Sequence, residues 1–284
     1  MPLEKATGKP RRGRARGRGD KGPVGRVPVF ADSGPFDIIG DVHGCWEELS
    51  ELVKKLGYNR AGVHPEGRRL VFLGDLADRG PMNVKVLQFV TTLFFRRLCL
   101  YTPGNHCDKL YRWLSGRPVQ TGHGLADTIA ELNGMDPGER RRLVSAFRLM
   151  FETVPPYLIL DSGRLVVVHA GIMEHMIGYI SPRIRRFCLY GDPTGKRDEK
   201  GRPIRRQWAL EYRGSATVVF GHDPVPEPLF VNGTVNIDQG CVFGGHLTAY
   251  RYPEGTIVQV RAKRVYNDSR IDQFLSPAEL AAWR

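Results

Sequence analysis

The sequence predicts an α/β domain in which successive parallel strands end in metal-binding side chains. Three short motifs carry this prediction, and each directly follows an apolar stretch that is typical of a buried strand. They are Gly-Asp-Val-His-Gly at 40–44, Gly-Asp-Leu-Ala-Asp-Arg-Gly at 74–80 and Gly-Asn-His at 104–106. Because the carboxyl ends of neighbouring parallel strands meet at one edge of a sheet, we expect their polar side chains to converge. Such ligands suit a pair of divalent metal ions, and therefore hydrolysis of a phosphate ester or anhydride.

Two histidines follow further apolar stretches in the same way. The stretch 165–168 ends at His169, and the stretch 216–220 leads into Gly221 and His222. The pattern of an apolar strand with a ligand at its end therefore occurs five times. The alternative is that these are ordinary loop residues or buried structural pairs. It does not account for the repeated combination of residue type and position.

The first half of the chain alternates between strand and helix. Strands are predicted at 36–39, 70–73 and 98–101, with helices at 45–57 and from Pro81 onward. The first helix has apolar residues on one face at spacings of three and four. Pro81 suits the first position of a helix, where its fixed φ and missing N–H are tolerated. This β-α-β-α-β order predicts adjacent parallel strands with helical crossovers.

The second half of the chain is predicted to form a helical segment followed by a second sheet. Residues 107–153 have helical apolar spacing, clearest at 124–132 and 139–151, and such an insertion could cap the metal site. Short strands are then expected at 157–160, 164–168, 216–220, 229–237, 247–251 and 256–261. The polar, Gly- and Pro-rich segment 191–206 is expected to be a mobile loop near the site.

Composition limits the classes of protein to consider. The chain has 284 residues and 41% hydrophobic content, which suits an ordinary globular protein. No apolar stretch approaches the ~18 residues of a membrane span, and no secretory signal is recognisable. The five cysteines are odd in number and lack zinc-ribbon spacing. A reduced cytoplasmic setting is the simplest expectation.

Half of the net charge of +12 lies in residues 1–35, which hold nine Lys and Arg against three acidic residues. This Arg/Gly-rich segment has little to bury and is predicted to be disordered. Nonspecific binding of RNA or another polyanion is one interpretation. A solubilising tail or a wrongly assigned translation start is another. The expected domain is then 36–262, followed by a tail at 263–284 with a short helix after Ser276-Pro277.

The motifs resemble those of the calcineurin-like metallophosphoesterases, which include the Ser/Thr protein phosphatases. Segments 105–112, 189–195 and 235–245 are also similar to PrpE-type bis(5'-nucleosyl)-tetraphosphatases and to the phosphatase module of bacterial polynucleotide kinase-phosphatases. The resemblance extends over roughly 36–262. It implies two packed mixed β-sheets flanked by helices, with a dimetal site at the strand ends.

The resemblance implies six metal ligands and a hydroxyl nucleophile derived from water. The ligands are Asp41, His43, Asp75, Asn105, His169 and His222. Two cations need a bridging carboxylate, and Asp75 is the best candidate. The partition of His169 and His222 between the metals stays open. Mn²⁺ is expected, with Fe, Ni or Zn as alternatives.

The resemblance also implies a catalytic pair. Asp78 would orient His106, and His106 would protonate the leaving oxygen. Arg79 would bind phosphate oxygens through its guanidinium, the alternative being a surface ion pair. Asp238 ends another apolar strand; it would either orient a metal-binding histidine or simply terminate the strand.

Three further residues are weaker candidates. Lys109 and Arg112 lie one and nearly two turns beyond His106, where they would contact a second phosphate or form a solvated basic face. Asp192 is a pocket candidate.

The predicted activity is asymmetric hydrolysis of a dinucleoside polyphosphate such as diadenosine tetraphosphate. A Ser/Thr protein phosphatase and an RNA or DNA end phosphatase are the alternatives. No Walker-type motif is present, so a kinase partner would be a separate chain. A purely RNA-binding module has no need of the ligands and the catalytic pair. The sequence leaves the oligomeric state open.

Overall fold

Two β-sheets lie face to face between layers of helices in the computed structural model, which describes residues 25–199 and 201–274. This is the predicted fold class. The α-helices are α1 Trp46–Lys55, α2 Asn83–Phe95, α3 Asn105–Leu114, α4 Leu125–Asn133, α5 Pro137–Thr153 and α6 Pro182–Tyr190. The β-strands are β1 Gly25–Arg26, β2 Phe36–Ile39, β3 Arg69–Phe72, β4 Cys99–Tyr101, β5 Tyr157–Leu160, β6 Leu165–Val168, β7 Tyr179–Ile180, β8 Asp192–Arg197, β9 Pro203–Arg206, β10 Thr217–Phe220, β11 Leu229–Val231, β12 Thr234–Asn236, β13 Asp238–Gln239, β14 His246–Tyr252 and β15 Thr256–Arg261.

The first sheet has the order β13-β14-β2-β3-β4, with β15 added to β14. Strands β2, β3 and β4 are parallel, as the alternating pattern predicts, while β14 runs antiparallel to β2. In the register, Ile39 pairs with Phe72 and Phe72 pairs with Tyr101. The three strands therefore end at the same level, which brings the residues that follow them to one edge of the sheet.

The second sheet has the order β11-β12-β10-β6-β5, with a parallel centre formed by β12, β10 and β6. The single strand predicted at 229–237 is two strands. Asn232 and Gly233 both have positive φ, 49° and 75°, and they form the tight turn of a hairpin. β6 and β10 are neighbours, so His169 and His222 follow adjacent strands.

Alternate residues of each central strand pack on opposite layers. Ile38 and Val71 face the second sheet, where they pack in the same cluster as Val167 and Val219. Phe72 faces the helices of the first sheet, and Val166 and Val168 face the layer that includes α6. Because both faces of these strands are buried, most positions are apolar, which is why the sequence shows hydrophobic runs. The buried Asp37 of β2 is an exception and pairs with Arg68 and Arg251.

Helix α2 begins at Asn83, so the prediction that Pro81 opens this helix is wrong. The Glu131 carboxylate of α4 accepts hydrogen bonds from the backbone N–H groups of Asn83 at 3.1 Å and Val84 at 2.9 Å. These are among the donors that the first turn of a helix leaves unpaired. A residue distant in sequence therefore determines where the helix begins.

The prediction of disorder is wrong for residues 25–35. Gly25 and Arg26 pair with β7, Val27 is only 5% exposed, and the Phe30 N–H donates to the Ile159 carbonyl at 2.9 Å. This segment shows no apolar periodicity because only two of its residues form a strand, which pairs with β7. Residues 1–24, with the Arg/Gly stretch, lie outside the described residues, so their disorder and polyanion binding stay predictions.

The segment 263–274 also belongs to the folded domain rather than to a tail. The Lys263 N–H and the Tyr266 hydroxyl both donate to Glu48 Oε1, at 2.9 and 2.8 Å. Phe274 stacks on Phe243 with ring centroids 6.0 Å apart. The helix predicted after Ser276-Pro277 lies outside the described residues.

The segment 191–206 is an antiparallel hairpin of β8 and β9 rather than an irregular loop. Arg206 pairs with Asp192 at 3.0 Å at the base of the hairpin. Among the described residues, no helix has the length and apolar character to cross a membrane.

Replacing Val27 by Ala is expected to lower the free energy of unfolding by about 2 kcal/mol, because two buried methyl groups are lost. The matched control is Val29→Ala in the same segment, where the side chain is 56% exposed and a change within ~0.5 kcal/mol is expected. Urea unfolding would measure both. Equal, negligible effects would show that residues 25–35 do not pack on the domain.

Candidate metal centre and active site

The six predicted ligands come together where β2, β3, β4, β6 and β10 end. Several residues in these connections have left-handed backbone, with φ between 24° and 74°, which is rare for residues other than glycine. They are His43, Asp75, Asp78, Arg79 and His222. Such strain is retained where the surrounding structure over-determines the backbone, and it concentrates at functional sites.

Asp75 lies at the centre of the cluster. Its Oδ2 is 3.7 Å from His43 Nε2 and 3.5 Å from His169 Nε2, so one oxygen faces both imidazoles. Its Oδ1 accepts a hydrogen bond from the His106 N–H at 2.9 Å. Two groups of side chains with closely spaced ligand atoms both include Asp75. The geometry suits a carboxylate that bridges two cations.

Two of the histidines are oriented in the same way. Nδ1 of His43 donates to the Ala77 carbonyl at 2.9 Å, and Nδ1 of His169 donates to the Leu73 carbonyl at 3.1 Å. Each ring is thereby held with its Nε2 atom on the side of Asp75. A backbone carbonyl behind a histidine is the usual arrangement at a metal ligand, because it fixes the tautomer.

Asn105 and His222 complete one side of the cluster. Nε2 of His169 lies 2.9 Å from Asn105 Oδ1 and 3.0 Å from His222 Nδ1, whereas His43 lies on the other side of Asp75. Asp41 accepts a hydrogen bond from the His222 N–H at 3.2 Å. All six predicted ligands are therefore brought together.

The cluster fits divalent cations on two grounds. Asp41 Oδ1 and His222 Nε2 are buried and have no hydrogen-bond partner among the described residues. Burial raises the pKa of Asp41, and the neighbouring carboxylates of Asp238 and Asp75 raise it further. Buried carboxylates at such spacing need positive charge nearby to be stable. Oxygen and imidazole donors around them are what Mn²⁺, Fe²⁺ or Zn²⁺ would use.

Two glycines allow the strand ends to approach this closely. Gly74 has φ +113°, and a Cβ there would lie 2.6 Å from His169 Nδ1. A Cβ on Gly104 would lie 2.2 Å from Asp75 Oδ1. Both distances are shorter than real contacts permit. The glycine that precedes each ligand in the Gly-Asp and Gly-Asn motifs is thus required by the packing of the site.

The predicted catalytic pair is in contact. His106 Nδ1 lies 2.7 Å from Asp78 Oδ2, and Asp78 Oδ1 accepts a hydrogen bond from the Thr128 hydroxyl at 2.6 Å. Burial raises the pKa of Asp78 and lowers the pKa of His106, so neither charge is stable alone in this position. The sequence did not point to Thr128, because it lies on α4, far along the chain.

Arg79 lines a cavity beside the cluster, together with Asp75 and Asn105. It does not face a surface carboxylate, so the alternative of a surface ion pair for Arg79 is wrong. Its Nη1 donates to His43 Nε2 at 2.8 Å, and its guanidinium lies 5.5 Å from the centre of the Phe243 ring. In the described part of the chain no carboxylate lies within 4.0 Å of it. The guanidinium therefore keeps donors available for an anion.

Asp238 lines the same cavity but does not hydrogen-bond to a histidine within the described residues. Its Oδ1 accepts from the Gly240 N–H at 3.0 Å, and its charge acts on Asp41. Two roles were considered for Asp238. No contact among the described residues supports the role in which it orients a histidine.

Lys109 and Arg112 line this cavity of about 500 Å³ together with Asp75, Asn105 and His106. Asp192 is not among the lining residues, because it pairs with Arg206 on the hairpin. Several lining residues were missed by the sequence analysis, and no local pattern marks them. They are His123, Arg197, Arg202, Arg205 and Arg270.

Residues 34–226 match the family model described as calcineurin-like phosphoesterase. The bis(5'-nucleosyl)-tetraphosphatase PrpE [asymmetrical] of Anoxybacillus flavithermus is 50% identical over 234 residues, which cover 81% of this chain and 96% of that protein. The protein of the same name from Bacillus subtilis is 50% identical over 238 residues, which cover 83% of this chain and 98% of that one.

Solved structures share the fold at lower identity. A protein provisionally assigned as a diadenosine tetraphosphatase superposes with a TM-score of 0.59 at 23% identity, covering 82% of this chain and 97% of that chain. A protein serine/threonine phosphatase from Saccharomyces cerevisiae superposes with a TM-score of 0.54 at 15% identity, covering 84% of each chain. At these identities the likeness concerns the fold alone.

Replacing Asp75 by Asn is expected to weaken binding of divalent metal more than the roughly 10–100-fold typical of outer-shell changes, because Asp75 faces both sides of the cluster. Titration calorimetry with Mn²⁺ and elemental analysis would measure affinity and stoichiometry. Asp192→Asn is the control and should bind metal normally, since Asp192 lies outside the cluster. Normal metal content in Asp75→Asn would contradict the bridging assignment.

Proposed function

Since the chain belongs to the calcineurin-like phosphoesterase family and is therefore a hydrolase of phosphoester or phosphoanhydride bonds, we propose that it cleaves dinucleoside tetraphosphates asymmetrically. The products would be a nucleoside triphosphate and a nucleoside monophosphate. Relatives about 50% identical along nearly their whole length carry the name of that activity, and this observation supports the proposed substrate most directly.

The arrangement around Asp75 supports the hydrolytic chemistry. We propose Asp41, His43, Asp75, Asn105, His169 and His222 as the ligands of two divalent cations, Mn²⁺ in the first instance, with Fe, Ni or Zn as alternatives. When bound, such cations neutralise phosphoryl charge and lower the pKa of a water molecule towards neutrality. The chain's own contribution is to hold each donor in one orientation.

His106 would donate the proton to the leaving oxygen. Its Nδ1 is engaged by Asp78, so Nε2 is the atom available to the substrate. Asp78 is in turn held by the Thr128 hydroxyl, which keeps the carboxylate aligned with the ring. Arg79 would bind a phosphoryl oxygen with donors that no carboxylate occupies. His106 would thus act as a general acid that is positioned by two successive hydrogen bonds, from Thr128 to Asp78 and between Asp78 and His106.

We also propose a cellular location for this reaction. The five cysteines are free and buried, which supports a reduced, cytoplasmic location. The protein phosphatase and the nucleic-acid end phosphatase remain alternatives, and neither is favoured by a specific contact among the described residues.

A substrate comparison with Mn²⁺ tests the proposal. Diadenosine tetraphosphate is expected to give ATP and AMP, with a higher kcat/KM than a phosphopeptide or RNA with a terminal phosphate, because its phosphate chain matches a cationic cavity. Chromatography would identify the products, and excess chelator should abolish turnover. Two molecules of ADP as products, or a preference for the phosphopeptide or the RNA, would contradict the proposal.

Replacing His106 by Ala is expected to slow turnover roughly 10²–10⁴-fold on substrates with poor leaving groups while bound metal is retained. The loss should shrink with a good leaving group such as p-nitrophenol, which needs little protonation. The exposed His175 offers the control, since His175→Ala should change neither rate. An equal loss across leaving groups would exclude His106 as the acid.

A further inference from the structure

The outer wall of the cavity carries three basic side chains from three separate segments. Lys109 comes from α3, His123 from the connection between α3 and α4, and Arg197 from the hairpin strand β8. Lys109 follows His106 by three residues on the same helix, so the two side chains are neighbours on its surface. The wall therefore begins next to the proposed acid and leads away from it.

Lys109 and Arg197 have carbonyl rather than carboxylate partners. Lys109 Nζ donates to the Gly122 carbonyl at 2.7 Å, and Arg197 Nη1 donates to the Gly201 carbonyl at 2.5 Å. Across the described ranges, no carboxylate lies within 4.0 Å of either cation. A carbonyl accepts a hydrogen bond but does not neutralise a charge.

His123 lies among these charges. Burial lowers the pKa of His123, and the positive charges of Lys109, Arg79 and Arg197 lower it further, in that order. A lowered pKa favours the neutral imidazole, which has one N–H to donate. Its backbone has φ +62°, a left-handed conformation that is uncommon for a residue other than glycine.

The remaining arginines of the wall each have a carboxylate partner. Arg112 pairs with Asp108 at 3.1 Å and Arg202 with Asp198 at 2.7 Å. Arg205 and Arg270 share Asp223, at 3.4 and 3.7 Å. Beyond Arg79, Lys109 and Arg197 are thus the cations lining this cavity that lack a carboxylate partner within the described ranges.

Like charges held together without an acidic partner destabilise the folded protein, and an anion placed between them would offset this. A phosphate bound at Arg79 beside the metal cluster is one anion. A second and third phosphate linked to it would extend away from the cluster. The wall that begins at Lys109 provides donors along that direction.

We propose that Lys109, His123 and Arg197 form a distal phosphate subsite, which binds the phosphates beyond the one attacked and so selects polyphosphates over phosphomonoesters. This inference rests on the proposed function. The hairpin is the specificity element, because it supplies Arg197 and is fixed at its base by Arg205, whose Nε donates to the Tyr190 carbonyl at 3.1 Å.

The first test compares two substrates in Lys109→Ala and Arg197→Ala. The ratio of kcat/KM for diadenosine tetraphosphate to that for p-nitrophenyl phosphate is expected to fall roughly 10–100-fold in each, since each variant removes a hydrogen bond to a charged group. Arg206→Ala is the control on the same hairpin, where the 64% exposed side chain pairs with Asp192. Its ratio should equal that of the unmodified protein.

The second test measures inhibition of p-nitrophenyl phosphate hydrolysis in excess Mn²⁺. AMP and the methylene analogue of ATP carry the same nucleoside and differ in their two distal phosphates. The unmodified protein and Arg206→Ala should bind the analogue more tightly than AMP. Lys109→Ala and Arg197→Ala should lose most of that difference.

The outcomes separate the two proposals. Loss of the inhibitor difference in a protein that does not cleave diadenosine tetraphosphate would leave the distal phosphate subsite standing and overturn the proposed substrate. Cleavage of the tetraphosphate with both the ratio and the inhibitor difference unchanged in Lys109→Ala and Arg197→Ala would overturn the subsite.

Discussion

The position of Asp75 between two imidazoles is the constraint on which the rest of the site depends. One carboxylate oxygen can lie 3.7 and 3.5 Å from the Nε2 atoms of His43 and His169 only if strands from both sheets end at the same point. The paired register of β2, β3 and β4 provides this in the first sheet. Gly74 and Gly104 remove the Cβ atoms that would otherwise hold the strand ends apart. The same residues therefore determine both how closely the strand ends approach and where the proposed metal ligands lie.

The convergence of the six proposed metal ligands could be predicted from sequence because each belongs to a local pattern, an apolar run followed by a polar side chain. His169 and His222 illustrate this, since each follows a run that is buried on both faces. Val27 could not be placed in this way. It lies beside a two-residue strand with exposed neighbours, so its burial depends on β7, which is remote in sequence. Residues 263–274 are similar, because Tyr266 and Phe274 are fixed by Glu48 and Phe243 and not by any repeat of their own.

Helix α4 shows how the helical insertion controls the site. Thr128 and Glu131 are three residues apart and so lie on one face of α4. Thr128 holds Asp78, while Glu131 holds the first turn of α2. The loop between these points contains Arg79, whose left-handed backbone needs such support. The predicted insertion thus supports the site itself. It fixes both ends of the loop that carries the proposed acid's partner and the phosphate-binding arginine, which no spacing in the sequence indicates.

Charge changes sign along the cavity, and with the proposed distal subsite this order would separate hydrolysis from substrate selection. Acidic groups such as Asp41, Asp75 and Asp238 lie at the inner end, where cations would neutralise them. Basic groups that lack acidic partners, Lys109 and Arg197, lie further out. In the proposed arrangement a phosphomonoester would need only the inner end, whereas a phosphate chain would contact both. Because the inner ligands come from strand ends and Arg197 comes from a hairpin, the outer charge can change without moving a metal ligand. With the proposed subsite, a change in the hairpin would therefore alter the choice of phosphate substrate and leave the proposed metal ligands in place.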